Sequence, residues 1–120
     1  MASYIIKRDG REEKFNKQKI INAAKKAFVA VDGTLTKAGV KKIRRIGNEI
    51  EKEALTSQKP LTVEEIQDRV ENLLMDTDRK DVARAYIVYR NERSKMRILH
   101  LTIFLTFILF RLFRSHFVKK

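Results

Sequence analysis

Cysteine is absent from the 120 residues. Disulfides, thiol nucleophiles and cysteine-ligated zinc are therefore excluded. Tryptophan is absent as well, and proline occurs once, at Pro60. Both histidines, His100 and His116, follow Arg97, so residues 1–97 have no imidazole for acid–base work or metal binding. No G-x-x-x-x-G-K-[ST] phosphate loop occurs, and no G-x-G-x-x-G dinucleotide turn. Ile5–Ile6 is too short an apolar run for a secretory signal, so none is expected. What the chain has in quantity is positive charge. Its 27 Lys and Arg outnumber 15 Asp and Glu, for a formal net charge of +12. Residues 98–120 hold four of those bases and no acid, so they carry +4 and residues 1–97 carry +8. An excess of this kind attracts anions in general, whether nucleotide, nucleic acid or anionic lipid. The length suits one domain with a modest core.

Residues 3–8 and 11–15 read as two short strands. Asp9-Gly10 between them signals a hairpin, either through a two-residue turn or through a three-residue turn with Gly10 as a bulge. Asn16 suits a helix N-cap. Beyond it Ile20, Ile21, Ala24, Ala27, Phe28 and Val31 recur on one helical face, and Asp32-Gly33 ends that helix. Thr34 or Thr36 caps a second helix, with Val40, Ile43, Ile46, Ile50 and Ala54 as its apolar stripe. Lys37, Lys41, Lys42, Arg44 and Arg45 make its outer face basic. Thr62-Val63-Glu64-Glu65 is a capping box opening a third helix that buries Val63, Ile66, Val70, Leu73 and Leu74. After a turn from Met75 to Arg79, Thr77 or Asp78 caps a fourth helix. There Val82, Ala85, Tyr86 and Tyr89 face inward, and the helix runs to about Arg97. The expected fold class is α+β: an N-terminal β-hairpin packed on a cluster of four helices, with an apolar helical tail. The expected divisions are 1–97 and 98–120.

One stretch stands out for chemistry. Lys7 and Arg8 leave the first strand beside a tight turn, and Lys19 lies in the first turn of the helix capped by Asn16. A helix start offers free N–H groups and a partial positive charge. Cations on a hairpin packed beside it make an anion site suited to polyphosphate. Glu13 and Asn16 supply an acceptor and an amide for a base or ribose. Arg90 and Arg93, three apart on the last helix, share a face from which to meet the same phosphates. Against this stands the plainer reading that charged hairpins are ordinarily solvated surface.

The stretch from Ile5 to Ile20, IIKRDGREEKFNKQKI, resembles the start of the ATP-cone domain. LTVEEIQDRVENLLM, from Leu61 to Met75, and VARAYIVYRNER, from Val82 to Arg93, resemble its third and fourth helices. The resemblance spans residue 3 to about residue 97. It implies a domain that binds ATP or dATP and sets activity through oligomeric state without chemistry of its own. Such domains stand at the N-terminus of many ribonucleotide reductase large subunits, and they form the second half of a bacterial repressor of reductase genes. Carried over one position at a time, the resemblance implies nucleotide contacts from Ile5, Lys7, Arg8, Glu13, Asn16, Lys19 and Ile20. It adds Thr62 (or Val63 after a one-residue shift), Gln67, and Arg90 or Arg93. No metal ligand or catalytic residue is implied, and Mg enters only as the counter-ion of the nucleotide. The repressor's four-cysteine zinc ribbon has no counterpart here, which disfavours that relative. The run from Tyr89 to Arg97 resembles the exit into a reductase catalytic domain, whose radical-bearing cysteines this chain lacks, so no reductase activity is expected from it alone.

Beyond Arg97 the character changes to ILHLTIFLTFILFRLFRSHFVKK, with five of the seven Phe. Three readings stand side by side: a helix packed on the domain or on a second copy, a membrane anchor or interfacial helix, or the product of a frame change or truncation. The expected partners are adenine nucleotides, a second copy of the chain and, in the parent family, a reductase catalytic domain. A nucleic-acid regulator using the Lys37–Arg45 face and a membrane-anchored nucleotide module are the alternative functions, though nucleic acid is not an expected partner. The expected location is the cytoplasm, with membrane association through residues 98–120 left open.

Overall fold

The structure, a computed structural model, describes residues 4–118, with side chains described as far as Leu112. Strands β1 (Tyr4–Ile6) and β2 (Glu12–Lys14) form the hairpin. Helices α1 (Lys17–Asp32) and α2 (Lys37–Thr56) follow. Strand β3 (Leu61–Thr62) leads directly into α3 (Val63–Met75), and α4 spans Lys80–Val118. The backbone divides into two compact units between Ile87 and Val88.

In the first unit the sheet has the order β2-β1-β3. β1 and β2 pair antiparallel, with Ile5 opposite Glu13. β3 runs parallel to β1, with Ile5 opposite Leu61 and Ile6 opposite Thr62. Two residues carry no periodicity to read, so this strand escapes the sequence pattern. The hairpin takes the three-residue form. Gly10 N–H donates to the Lys7 carbonyl and Lys7 N–H to the Arg11 carbonyl. Gly10 sits at φ 85°, and no other residue of the turn has positive φ. A type I turn closed by a left-handed glycine is the usual three-residue solution. Asp9 reinforces it by accepting from the Arg11 backbone N–H at 3.1 Å.

The caps follow side-chain chemistry. Asn16 Oδ1 accepts from Gln18 N–H at 3.0 Å, and Gly33 ends α1 in the left-handed region. Of the two threonines open to that role, Thr36 caps α2. At α3 both halves of the capping box form, Glu65 N–H to Thr62 Oγ1 and Thr62 N–H to Glu65 Oε2, each at 3.1 Å. The cap expected at Thr77 or Asp78 lies short of its helix. α4 opens at Lys80, and Thr77 instead accepts from Arg79 N–H and donates to the Leu74 carbonyl.

The core joins Phe28 of α1, Ile43, Ile46 and Ile50 of α2, Val70 and Leu74 of α3, and Val82, Ala83 and Tyr86 of α4. Ile5, Phe15 and Leu61 pack against it from the sheet side. Val31, expected on the buried face of α1, is exposed. Arg79 ties the far end together. Its guanidinium grips Asp32 with bonds of 3.0 and 2.6 Å, bonds Asp81, and lies 5.6 Å from the centre of the Phe28 ring. Those carboxylates, Asp32 first, hold the guanidinium's pKa above its ordinary value. Arg69 of α3 donates to the Glu53 carboxylate of α2 at 2.8 and 2.9 Å.

The second unit is the remainder of α4. The helix expected to end near Arg97 continues to Val118. No glycine or proline follows Arg97, and leucine, isoleucine, phenylalanine and arginine all prolong a helix. No helix among the described residues is long and apolar enough to cross a membrane.

Candidate functional site

The parallel pairing of β3 with β1 sets the geometry. It brings the start of α3 beside the hairpin turn, while the short link from Lys14 to Lys17 brings the start of α1 to the other side. The hairpin turn, the start of α1 and the start of α3 carry most of the charged candidates.

Two clusters form. In the first, Glu13 accepts from Lys19 Nζ at 2.7 Å and lies 3.5 Å from Lys7 Nζ. One carboxylate thus gathers the hairpin lysine and the helix-start lysine. The hydrogen bond from Lys19, aided by the charges of Lys19 and Lys7, holds the Glu13 carboxyl below its ordinary value. In the second, Arg8 Nη2 donates to Gln67 Oε1 at 3.1 Å and Arg8 Nε lies 2.7 Å from Glu64 Oε1. Arg8 and Gln67 are 59 positions apart in sequence. Glu64 was not singled out from the sequence, where it reads only as a first-turn acid favourable to the helix dipole.

The remaining candidates fall as follows. Asn16 spends its oxygen on the α1 cap. Its amide nitrogen has no partner among the described residues and sits at the helix start. Thr62 has its hydroxyl oxygen and backbone N–H engaged in the capping box. Ile5 is half-buried and packs on the core. Ile20 is only 7% exposed, so it supports the site floor from within the core. Arg90 and Arg93 belong to the second unit, one turn apart on α4, the first half-buried and the second exposed.

The donor set is ammonium groups, a guanidinium and an amide, backed by a helix N-terminus. That combination suits phosphate oxygens. No group of acidic or histidine side chains able to hold a metal ion occurs among the described residues. A separate cavity of about 270 Å³ lies between α2 and the α3–α4 turn, lined by Lys42, Arg45, Glu49, Asp76 and Asp78 among others. Within it Lys42 Nζ lies 3.1 Å from Asp78.

The chain matches known proteins over most of its length. The family model described as ATP cone domain matches residues 3–95. The chain is 39% identical over 98 residues to the ribonucleoside-diphosphate reductase subunit alpha of Chlamydia pneumoniae, covering 78% of this chain and 9% of that protein. It is 40% identical over 94 residues to the anaerobic ribonucleoside-triphosphate reductase of Haemophilus influenzae, covering 78% of this chain and 13% of that one. It is 37% identical over 103 residues to the vitamin B12-dependent ribonucleoside-diphosphate reductase of Thermoplasma acidophilum, covering 81% and 13%. The chain thus spans only about a tenth of the length of the curated relatives it matches.

Proposed function

The chain belongs to the ATP-cone family of regulatory nucleotide-binding domains, and from that premise we propose that residues 1–97 bind ATP or dATP on the surface bordered by the β1–β2 turn, the start of α1 and the start of α3. Lys7 and Lys19 hold phosphate oxygens from two sides. Arg8 braces the turn against α3 and adds a third cation. Gln67 and the Asn16 amide read the base or ribose. Ile5 and Ile20 shape the floor. A Mg ion would arrive as the counter-ion of the nucleotide, held by its phosphates. The module performs no chemistry; it acts by oligomerising with a second copy and, in a longer protein, by controlling a reductase catalytic domain.

The observation that carries this reading is that Glu13 gathers Lys7 of the hairpin and Lys19 of the α1 start, while Arg8 of the same turn meets Gln67 of α3. Calorimetric titration of the whole chain with ATP, dATP, GTP and CTP tests it. Saturable binding of the adenine nucleotides, with little heat from the others, is the expected result. Equal response to all four would remove the base-reading role of Gln67. A second reading rests on α2, where Lys37, Lys41, Arg44 and Arg45 are exposed and without an ion-pair partner among the described residues. It requires affinity for nucleic acid that falls steeply with salt.

A further inference from the structure

Residues 98–110 of α4 carry apolar side chains all round the helix, with His100, Thr102 and Thr106 as the polar members. Leu109, Phe110, Phe107, Phe104 and Leu105 follow one another around the whole circumference at about 100° per residue, and all are exposed, Leu109 by 67%. A helix that is apolar all round is ordinarily buried or in lipid. A partner helix or a second copy covers one stripe and leaves the others in water; hydrocarbon covers every side. Of the polar members of the run, His100, Thr102 and Thr106, Thr102 has its hydroxyl satisfied within the helix, donating to the Ile98 carbonyl at 2.9 Å. Thirteen helical residues extend about 20 Å, short of the roughly 30 Å of bilayer hydrocarbon, which agrees with the absence of a spanning helix among the described residues.

Charge selects the kind of lipid. No carboxylate follows Glu92 in the sequence, while Arg93, Lys95 and Arg97 precede the run and Arg111 and Arg114 follow it. Arg97 Nη2 bonds Ser94, and Arg111 lies over the Phe107 ring at 6.0 Å, a long cation laid along an apolar body. Cations at both ends keep both ends at one headgroup layer, their stems snorkelling upward. We propose that residues 98–110 embed in a single leaflet of an anionic membrane, with the arginines and lysines on either side bound to lipid phosphates, so that the nucleotide-binding unit is held at a membrane surface.

The test is co-sedimentation of the whole chain with vesicles of phosphatidylcholine alone and of phosphatidylcholine mixed with phosphatidylglycerol, at low and high salt. The expected result is at least about tenfold tighter association with the anionic vesicles, diminished by salt, since each basic residue near such a surface adds attraction. Phe104→Glu combined with Phe107→Glu should abolish association with both vesicles. Arg97→Gln combined with Arg111→Gln should reduce the preference for the anionic ones. Thermal melting of each variant checks that the first unit still folds. Equal binding to both vesicles overturns the anionic assignment. Failure to sediment with either, or a soluble oligomer that the double Phe variant dissociates, overturns the proposal. Neither outcome depends on nucleotide binding.

Discussion

At the scale of single residues, Glu13 is the point on which the site turns. It holds Lys7 and Lys19 together when no anion is bound, at 3.5 and 2.7 Å. A polyphosphate brings more negative charge than one carboxylate and would compete for the same ammonium groups. Lys7→Ala and Lys19→Ala should each remove a charge-assisted hydrogen bond worth about 1.5–3 kcal/mol, which is tenfold or more in affinity. Titration calorimetry with ATP reads the loss directly. Both lysines lie at the surface, so melting temperature and helix content should hardly move. Undiminished ATP affinity in both variants would remove the site from this surface. Lys7 and Lys19 were legible because a turn and a helix cap announce themselves locally. Glu64 was not, because nothing near it in the sequence says that α3 begins beside the hairpin.

At the scale of elements, α1 and α2 approach closely where α2 has no side chain. A Cβ on Gly47 would stand 3.2 Å from Ile21 Cγ1 and 3.6 Å from Lys17 Cε. Gly47→Leu should therefore overpack the interface, at a cost of about 1–3 kcal/mol, lowering the melting temperature of the whole chain in differential scanning calorimetry. A helix-forming leucine would otherwise favour α2 over glycine by up to about 1 kcal/mol. An unchanged or raised melting temperature would show that α1 yields more freely than its packing suggests. Gly47 lies within the apolar stripe of α2, but its lack of a side chain becomes a requirement only once Ile21 is set against it.

At the scale of the whole molecule, surface carboxylates answer an excess of cations. Asp9, Glu13, Asp78 and Asp81 are all held below their ordinary values, by the Arg11 backbone N–H, Lys19, Lys42 and Arg79 respectively. The unfolded chain takes up protons near the ordinary values of 3.8 and 4.5. The folded chain takes them up only at lower pH. Over that window the unfolded state binds more protons, so stability falls as pH falls. The loss begins as pH drops through 4.5 and is complete once the folded carboxylates have titrated. These groups are exposed or partly exposed, so each adds little, but titration of all 15 Asp and Glu also removes the charge opposing 27 bases. Melting temperatures followed from neutrality down past pH 3.8 should decline through this window. A flat profile would mean that the pairs persist in the unfolded chain.

Four helices, the N-caps of the first three and most of their buried faces could be read from the sequence by itself, because periodicity and capping act within one or two turns. The hairpin was legible for the same reason, and three short blocks in order were enough to suggest the family. Contacts far apart in sequence were decided only by the tertiary structure. Asp9-Gly10 permits two turns, and the pairing of β1 with β2 chose the three-residue form with Gly10 alone at positive φ. β3 is too short to show a pattern, yet its pairing with β1 brings Arg8 to Gln67. The Arg79 clamp on Asp32 spans 47 positions and has no local signature. Local backbone preferences select elements one at a time, whereas a binding surface exists only after the core has forced distant elements side by side.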